Sequence, residues 1–206
     1  MTDRIITLMR HGKVDGPAAL YGHTDIALSS LGAMELQQSI AQVHRRNPVS
    51  QVISSPLIRC AIAAQEFAQQ QQLPVQIIDD LKEMHFGAWD GIAFEQLDAQ
   101  RWQQLNQFWE TPAQAQAPGG ESLQEFAARI MNCWTTIADN TSAQHQLVLC
   151  HGGVIRILIA QLLGLDWHNP SLFRQLSIDY ASHTRIEIAA HPAALPVIKY
   201  IGASHF

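Results

Sequence analysis

Short apolar runs alternate along the chain with longer stretches in which apolar residues recur every three to four positions. Residues 5–9 (IITLM), 51–54 (QVIS), 75–78 (VQII) and 145–150 (HQLVLC) are short and apolar, and each predicts a buried strand. Ser29 or Ser30 caps a helix running to about residue 46, with Leu31, Met34, Leu36, Ile40 and Val43 near one side. His44, Arg45 and Arg46 fall in its last turn, where cations complement the helix dipole. Ser55-Pro56 predicts the N-cap and first residue of a helix to about residue 71. Residues 121–140 form an amphipathic helix and 152–163 a strongly apolar one. Residues 177–180, 184–189 and 197–201 predict three late strands.

Strand–helix alternation predicts an α/β fold: a three-layer sandwich with a mostly parallel, mixed central sheet and helices on both faces. The last strands add antiparallel edges. The rhythm breaks between residues 80 and 118, which hold Phe86, Trp89, Phe94, Trp102, Phe108 and Trp109 and end in TPAQAQAPGG. This stretch is read as a helical cap insertion lying over the C-terminal ends of the strands. No repeat and no linker divides residues 1–206, so a single domain is expected.

Composition sharpens the picture. With 206 residues and 47% hydrophobic positions, the chain is long enough to bury roughly 70% of its unfolded surface. Thirteen Lys and Arg against eighteen Asp and Glu give a net charge of −5, and no basic block stands out. That argues against a nucleic-acid or anionic-membrane partner. In such a chain, an anion site has to concentrate its few cations locally, so single arginines become informative. Cys60, Cys133 and Cys150 are scattered, with no CxxC pair, as expected of free thiols in a reducing compartment. The first residues lack a signal-like apolar core, and no run reaches the roughly 20 apolar residues of a membrane span. A soluble cytoplasmic protein is expected.

Polar clusters follow each of the first four strands: Arg10-His11-Gly12, then Ser54-Ser55-Pro56 with Arg59 one turn later, then Glu83, then His151-Gly152-Gly153. Open α/β sheets bind ligands beyond the carboxyl ends of their strands. The sheet therefore predicts that two arginines, two histidines and a glutamate converge on one edge. Guanidiniums hold a dianion through paired hydrogen bonds, and the helix opened by Gly152 favours an anion at its N-terminus. A histidine can attack phosphorus and become a phosphohistidine. A glutamate can protonate the leaving alkoxide, and a second histidine can donate to the phosphoryl oxygens. The arginines supply the positive field, so this chemistry needs no metal or other cofactor. Each residue alone has a plainer reading: Glu83 as a solvated loop residue, His11 as a satisfied core histidine, Arg59 as a partner of Glu66.

The segments LMRHG, GHTDIALSSLG, SSPLIRC, LKEMHFGAWDG and LCHGGVIR resemble, in order and spacing, the histidine phosphatase superfamily, the family of the cofactor-dependent phosphoglycerate mutases. The likeness spans about residues 4–165, and within the superfamily the chain is most similar to the alpha-ribazole phosphatase group. The resemblance implies a phosphatase acting on a small phosphate monoester, with His11 as the phosphorylated nucleophile and Glu83 as the proton donor. It implies a phosphate pocket of Arg10, Arg59 and His151, with a backbone N–H from Gly152, and Tyr21, Gly22 and His23 lining the substrate side. The chain departs from the family pattern at Lys13, Val14 and Pro17, where relatives carry an acidic residue, Ser or Thr, and Asn. His23 stands where tryptophan is common.

Three rivals compete with this reading. Cys150 to Arg156 has Cys-x5-Arg spacing between a strand and a helix, as cysteine phosphatases do. The plainer alternative is a buried Cys150 ending a strand and Arg156 lying along a helix. A mutase-type phosphoryl transfer needs cations for a second anionic group, yet Arg101 is the only Lys or Arg between Met84 and Ala128. The six aromatics there suit an apolar or planar leaving group instead, such as a benzimidazole riboside. A non-catalytic binding relative would have lost one of the five central residues, and all are present. No HxH or HExxH motif marks a metal site, and His85 reads as a loop residue near Glu83.

Overall fold

The computed structural model describes residues 3–191 and 193–204. Six strands form one sheet in the order β3-β2-β4-β1-β5-β6. They are β1 (Arg4–Arg10), β2 (Gln51–Ser54), β3 (Val75–Ile77), β4 (His145–Cys150), β5 (His183–Ile188) and β6 (Val197–Ala203). The first four run parallel, and β5 and β6 continue the sheet antiparallel beyond β1. The helices are α1 (Ser30–Arg46), α2 (Ile58–Gln71), α3 (Ala99–Glu110), α4 (Leu123–Asp139), α5 (Gly152–Leu163) and the short α6 (Ser171–Arg174).

Successive strand residues point to opposite faces, and two apolar cores result. Met9, Val52, Leu147 and Leu149 pack on Leu36, Ile40 and Val43 of α1 and on Cys60, Ala64 and Phe67 of α2. Ile6, Leu8, Ile53, Val148 and Cys150 face the other way, against Phe126, Ile130 and Ile137 of α4 and Val154, Ile157 and Leu158 of α5. The α/β sandwich, with helices on both faces, is therefore present. Full burial of β4 explains why its sequence reads as a continuous apolar run rather than an alternating one. Among the described residues, no helix is long and apolar enough to cross a membrane.

Several boundaries differ from the sequence reading, each for a local reason. Helix α2 starts at Ile58, not at Pro56. Ser55 Oγ lies 2.8 Å from His151 Nε2, and the Ile58 amide is satisfied by Asp25 Oδ1 at 2.8 Å instead. Helix α4 starts at Leu123 behind a reciprocal capping box between Ser122 and Glu125. Residues 177–180 are not a strand. The carbonyls of Leu176 and Ile178 accept from arginine side chains rather than from a ladder neighbour, and the chain turns at Ala181 with φ +55°. Residues 79–118 fold as three short 3₁₀ turns, helix α3 and irregular connections.

Candidate active site

The predicted site residues gather at the C-terminal edge of the parallel strands. Arg10 ends β1 and His11 follows it. His151 caps α5 immediately after β4, and Arg59 lies in the first turn of α2 after β2. Glu83 follows β3 and the first 3₁₀ turn. A cavity of about 220 Å³ opens here. Arg10, His11, Tyr21, Glu83 and Gly152 line it. Arg59, His151, Gly22 and His23 are not among its lining residues, and Arg59 and His151 are fully buried.

His11 is only 5% exposed, and its Nδ1 lies 2.8 Å from the Gly12 carbonyl. A carbonyl only accepts, so Nδ1 carries the proton there and Nε2 keeps its lone pair. Burial first, and then the charges of Arg10 and Arg59, hold the His11 pKa well below the usual histidine value. The ring is therefore a neutral imidazole with one nucleophilic nitrogen. His151 sits edge-on to it, with ring centroids 5.1 Å apart.

His151 is fully buried, and both its ring nitrogens are engaged. Nδ1 accepts from Arg59 Nε at 3.3 Å, which places the proton on Nε2, donating to Ser55 Oγ at 2.8 Å. Arg59 is also fully buried. Its terminal nitrogens donate to the carbonyls of Thr24 at 2.8 Å, Tyr21 at 3.0 Å and Gly22 at 2.6 Å. With Nε on His151, one N–H of the five stays uncommitted.

The segment between residues 21 and 24 is held from both sides. Its carbonyls face Arg59, and the amides of Gly22, His23 and Thr24 donate to the Asp90 carboxylate at 2.7 to 3.1 Å. Burial works against ionisation of Asp90, but hydrogen bonds from Thr24, His23 and Phe86 outweigh it and hold its pKa below the usual range. The backbone polar groups of Gly22 and His23 are thus engaged by Asp90, and the Gly22 carbonyl by Arg59. The His23 ring packs at a tilt against His85, with ring centroids 4.6 Å apart.

Glu83 is fixed through its carboxylate and through its backbone. Its Oε1 accepts from the Met84 amide and its Oε2 from the Gly153 amide, both at 3.0 Å. Arg129 of α4 clamps the segment carrying it, donating to the carbonyls of Asp80, Lys82 and Glu83 at 2.5, 2.8 and 2.9 Å. The same guanidinium forks onto the Glu121 carboxylate at 2.6 and 3.0 Å.

The same cavity also has an apolar lining of Phe86, Phe108, Trp109, Pro112, Phe126 and Phe173. Of the six aromatics that the sequence groups together, three reach the cavity. Trp89 is a core residue set edge-on against Phe108, and Phe94 packs on Trp102 away from the site. Cys150 is fully buried, and burial raises its pKa well above the ordinary thiol value. A thiol so placed is a poor source of thiolate.

Sequence reasoning missed three contributors. Tyr180 lies under the Arg10 guanidinium at 3.9 Å, and the strand expected over 177–180 hid its role. Arg129 carries no motif signal at all. Arg156 lines the cavity rather than merely running along a helix. It lies near the start of α5, as Arg59 lies in the first turn of α2, and that similar placement could have found it. Among the described residues, no three His, Cys, Asp or Glu side chains cluster in a way that could hold a metal ion.

Comparison with known proteins identifies the family. The family model described as histidine phosphatase superfamily (branch 1) matches residues 6–199. The adenosylcobalamin/alpha-ribazole phosphatase of Escherichia coli K12 is 31% identical over 203 residues, covering 93% of each chain. The glucosyl-3-phosphoglycerate phosphatase of Mycolicibacterium vanbaalenii is 27% identical, covering 97% of this chain and 93% of its own. The crystal structure of the alpha-ribazole phosphatase from Shigella flexneri superposes with a TM-score of 0.79 at 25% identity, covering 97% of this chain and 96% of that one. The chain also spans about half the length of three longer mycobacterial relatives that are 30% identical to it.

Proposed function

The chain belongs to the histidine phosphatase superfamily, and from that premise we propose that it hydrolyses phosphate monoesters through a phosphohistidine on His11. The observation that carries the reading is one cavity with a mixed lining. His11, Arg10 and Glu83 line it together with Phe86, Phe108 and Trp109. A phosphoryl group suits the polar residues and a flat apolar alcohol the aromatic ones.

In this reading, the Nε2 lone pair of His11 attacks phosphorus. The new P–N bond forms as the ester P–O bond breaks, and the departing electron pair leaves on the alcohol oxygen. Glu83 gives that oxygen its proton. The resulting carboxylate then takes a proton from water as the water attacks phosphorus, which releases inorganic phosphate and restores the imidazole. Arg10 and the N-terminus of α5 at Gly152 hold the phosphoryl oxygens. Arg59 adds its one uncommitted N–H, while His151 supports the His11 ring and keeps Arg59 in place.

We assign alpha-ribazole 5′-phosphate, a benzimidazole riboside ester, as the substrate, which would give the enzyme a step in cobalamin biosynthesis. The aromatic lining of the cavity supports this, as do the alpha-ribazole phosphatases among its relatives. Phosphoglycerate-mutase-type transfer is less well served, because residues 84–128 bring no lysine or arginine to the cavity. A panel of phosphate monoesters in EDTA tests the assignment, comparing kcat/KM for alpha-ribazole 5′-phosphate, a glucosyl phosphoglycerate and 3-phosphoglycerate. The riboside ester leading the panel supports it, and a phosphoglycerate leading overturns it.

A further inference from the structure

The geometry points to Arg156 as a phosphate-binding residue: with Arg10, it grips the dianionic phosphoryl group of the substrate across Gly152. The inference rests on the phosphatase reading and adds to it a residue that the sequence had raised only within the Cys-x5-Arg rival and that the proposed mechanism had not used.

Three observations carry it. First, the two guanidiniums flank one point. A Cβ on Gly152 would lie 3.0 Å from Arg156 Nη1 and 3.5 Å from Arg10 Nε. Only a residue without a side chain leaves that space to a ligand. Second, both arginines are held by backbone rather than by counterions. Arg156 Nε donates to the Leu176 carbonyl at 2.9 Å, and Arg10 Nη1 to the Ile178 carbonyl at 2.6 Å. Neither has a carboxylate partner within salt-bridge distance among the described residues. Third, Arg10 Nε is buried without a hydrogen-bond partner. A buried donor left empty is costly, and an acceptor in the cavity would satisfy it.

The electrostatics agree. Two like charges side by side repel, and Glu83 is the one carboxylate lining this cavity. A dianion placed between the guanidiniums converts that repulsion into attraction on both sides. Arg59 cannot fill the same place, because four of its five N–H groups are spent on Thr24, Tyr21, Gly22 and His151. Arg156 keeps both terminal nitrogens for the cavity it lines. The loop from Leu176 to Tyr180 then acts as a bracket: two carbonyls aim the guanidiniums, and the Tyr180 ring supports Arg10 from beneath.

The test is competitive inhibition by inorganic phosphate, measured with KM and kcat on an aryl phosphate, for Arg156→Met, Arg156→Lys and the control Arg101→Met. Arg101 pairs with Asp98 on exposed α3 and does not line the cavity, so its loss changes net charge equally without touching the site. Losing one charge-assisted hydrogen bond should raise the phosphate Ki and the KM of Arg156→Met about 10- to 100-fold. Arg156→Lys should be intermediate, since it keeps the charge while losing the Leu176 bond, and Arg101→Met should match the parent. Unchanged Ki in a folded Arg156→Met overturns the inference. So does Arg156→Lys losing thermal stability with no change in Ki, because that pattern belongs to a purely structural role. If Arg156→Met does not fold, Arg156→Lys decides by the same Ki comparison. A parent protein that hydrolyses no ester, yet binds phosphate in a calorimeter through Arg156, overturns the phosphatase reading and supports this one.

Discussion

The amide N–H of Gly153 donates to Glu83 Oε2 at 3.0 Å, joining the start of α5 to the carboxylate carried on the loop after β3. The hydrogen bond depends on glycine, because a Cβ at position 153 would collide with Glu83 Oε1. Gly153→Ala should therefore displace the proposed acid while leaving the β4 strand intact. Alkyl phosphates, whose alkoxides need a proton, should slow by about 100-fold or more, in the range typical of general acid catalysis. Aryl phosphates should slow far less, and Glu83→Gln should show the same split. Steady-state kinetics on matched alkyl and aryl esters check this, and equal slowing of both classes would remove Glu83 from the acid role.

Trp109 is half-buried in the aromatic lining of the cavity, edge-on to Phe108 with ring centroids 5.3 Å apart. Trp109→Ala removes both apolar area and a ring face from that lining, and should raise KM for a benzimidazole riboside ester about 10-fold or more. A small ester such as glycerol phosphate should change little. Parallel KM measurements on the two esters decide whether the aromatic lining selects the alcohol.

Much of this was legible in the sequence. Apolar runs located the parallel strands, and a polar cluster after each strand located Arg10, His11, Glu83 and His151, because an open parallel sheet delivers its strand ends to one edge. What stayed hidden depends on partners far away in the chain. Ser55 Oγ accepts from His151 and does not cap α2, and Asp90 gathers three amides from residues 22–24. The carbonyls of Leu176 and Ile178 meet arginines 20 and 168 positions away. No local periodicity encodes such pairings, and a stretch that alternates polar and apolar positions, such as residues 177–180 (SIDY), then mimics a strand.

Cys150 is closed off beneath the end of β4, with its thiol held neutral by burial. Cys150→Ser should retain most activity at neutral pH, with some loss of thermal stability from placing a hydroxyl in the core. Activity that disappears in a folded Cys150→Ser would restore the cysteine reading.

Acid should destabilise the fold through its buried histidines. His145 is held between Thr7 Oγ1 at 2.8 Å and the Asn47 carbonyl at 2.9 Å, and burial lowers its pKa to about 4. His11 and His151 are likewise lowered by burial. The unfolded chain binds these protons near pH 6.5 and the folded protein does not, so the unfolded state gains protons first. Stability should hold above pH 6.5 and decline as pH falls toward 4, with His145 alone contributing on the order of 3 kcal/mol to that loss. Urea unfolding across this range, with His145→Gln for comparison, checks the sign and the share: the variant should show a shallower decline.

The whole mechanism turns on the neutral imidazole of His11, whose Nε2 lone pair is free because Nδ1 is committed to the Gly12 carbonyl. Millisecond mixing with a ³²P-labelled ester, acid-sensitive workup and peptide mapping probe it without intermediaries. An acid-labile, alkali-stable phosphate should appear on the peptide containing His11, formed and discharged at rates that support turnover and absent in His11→Ala. Full turnover with no label on that peptide would contradict the covalent route, and would mean that water attacks the substrate without a phosphohistidine.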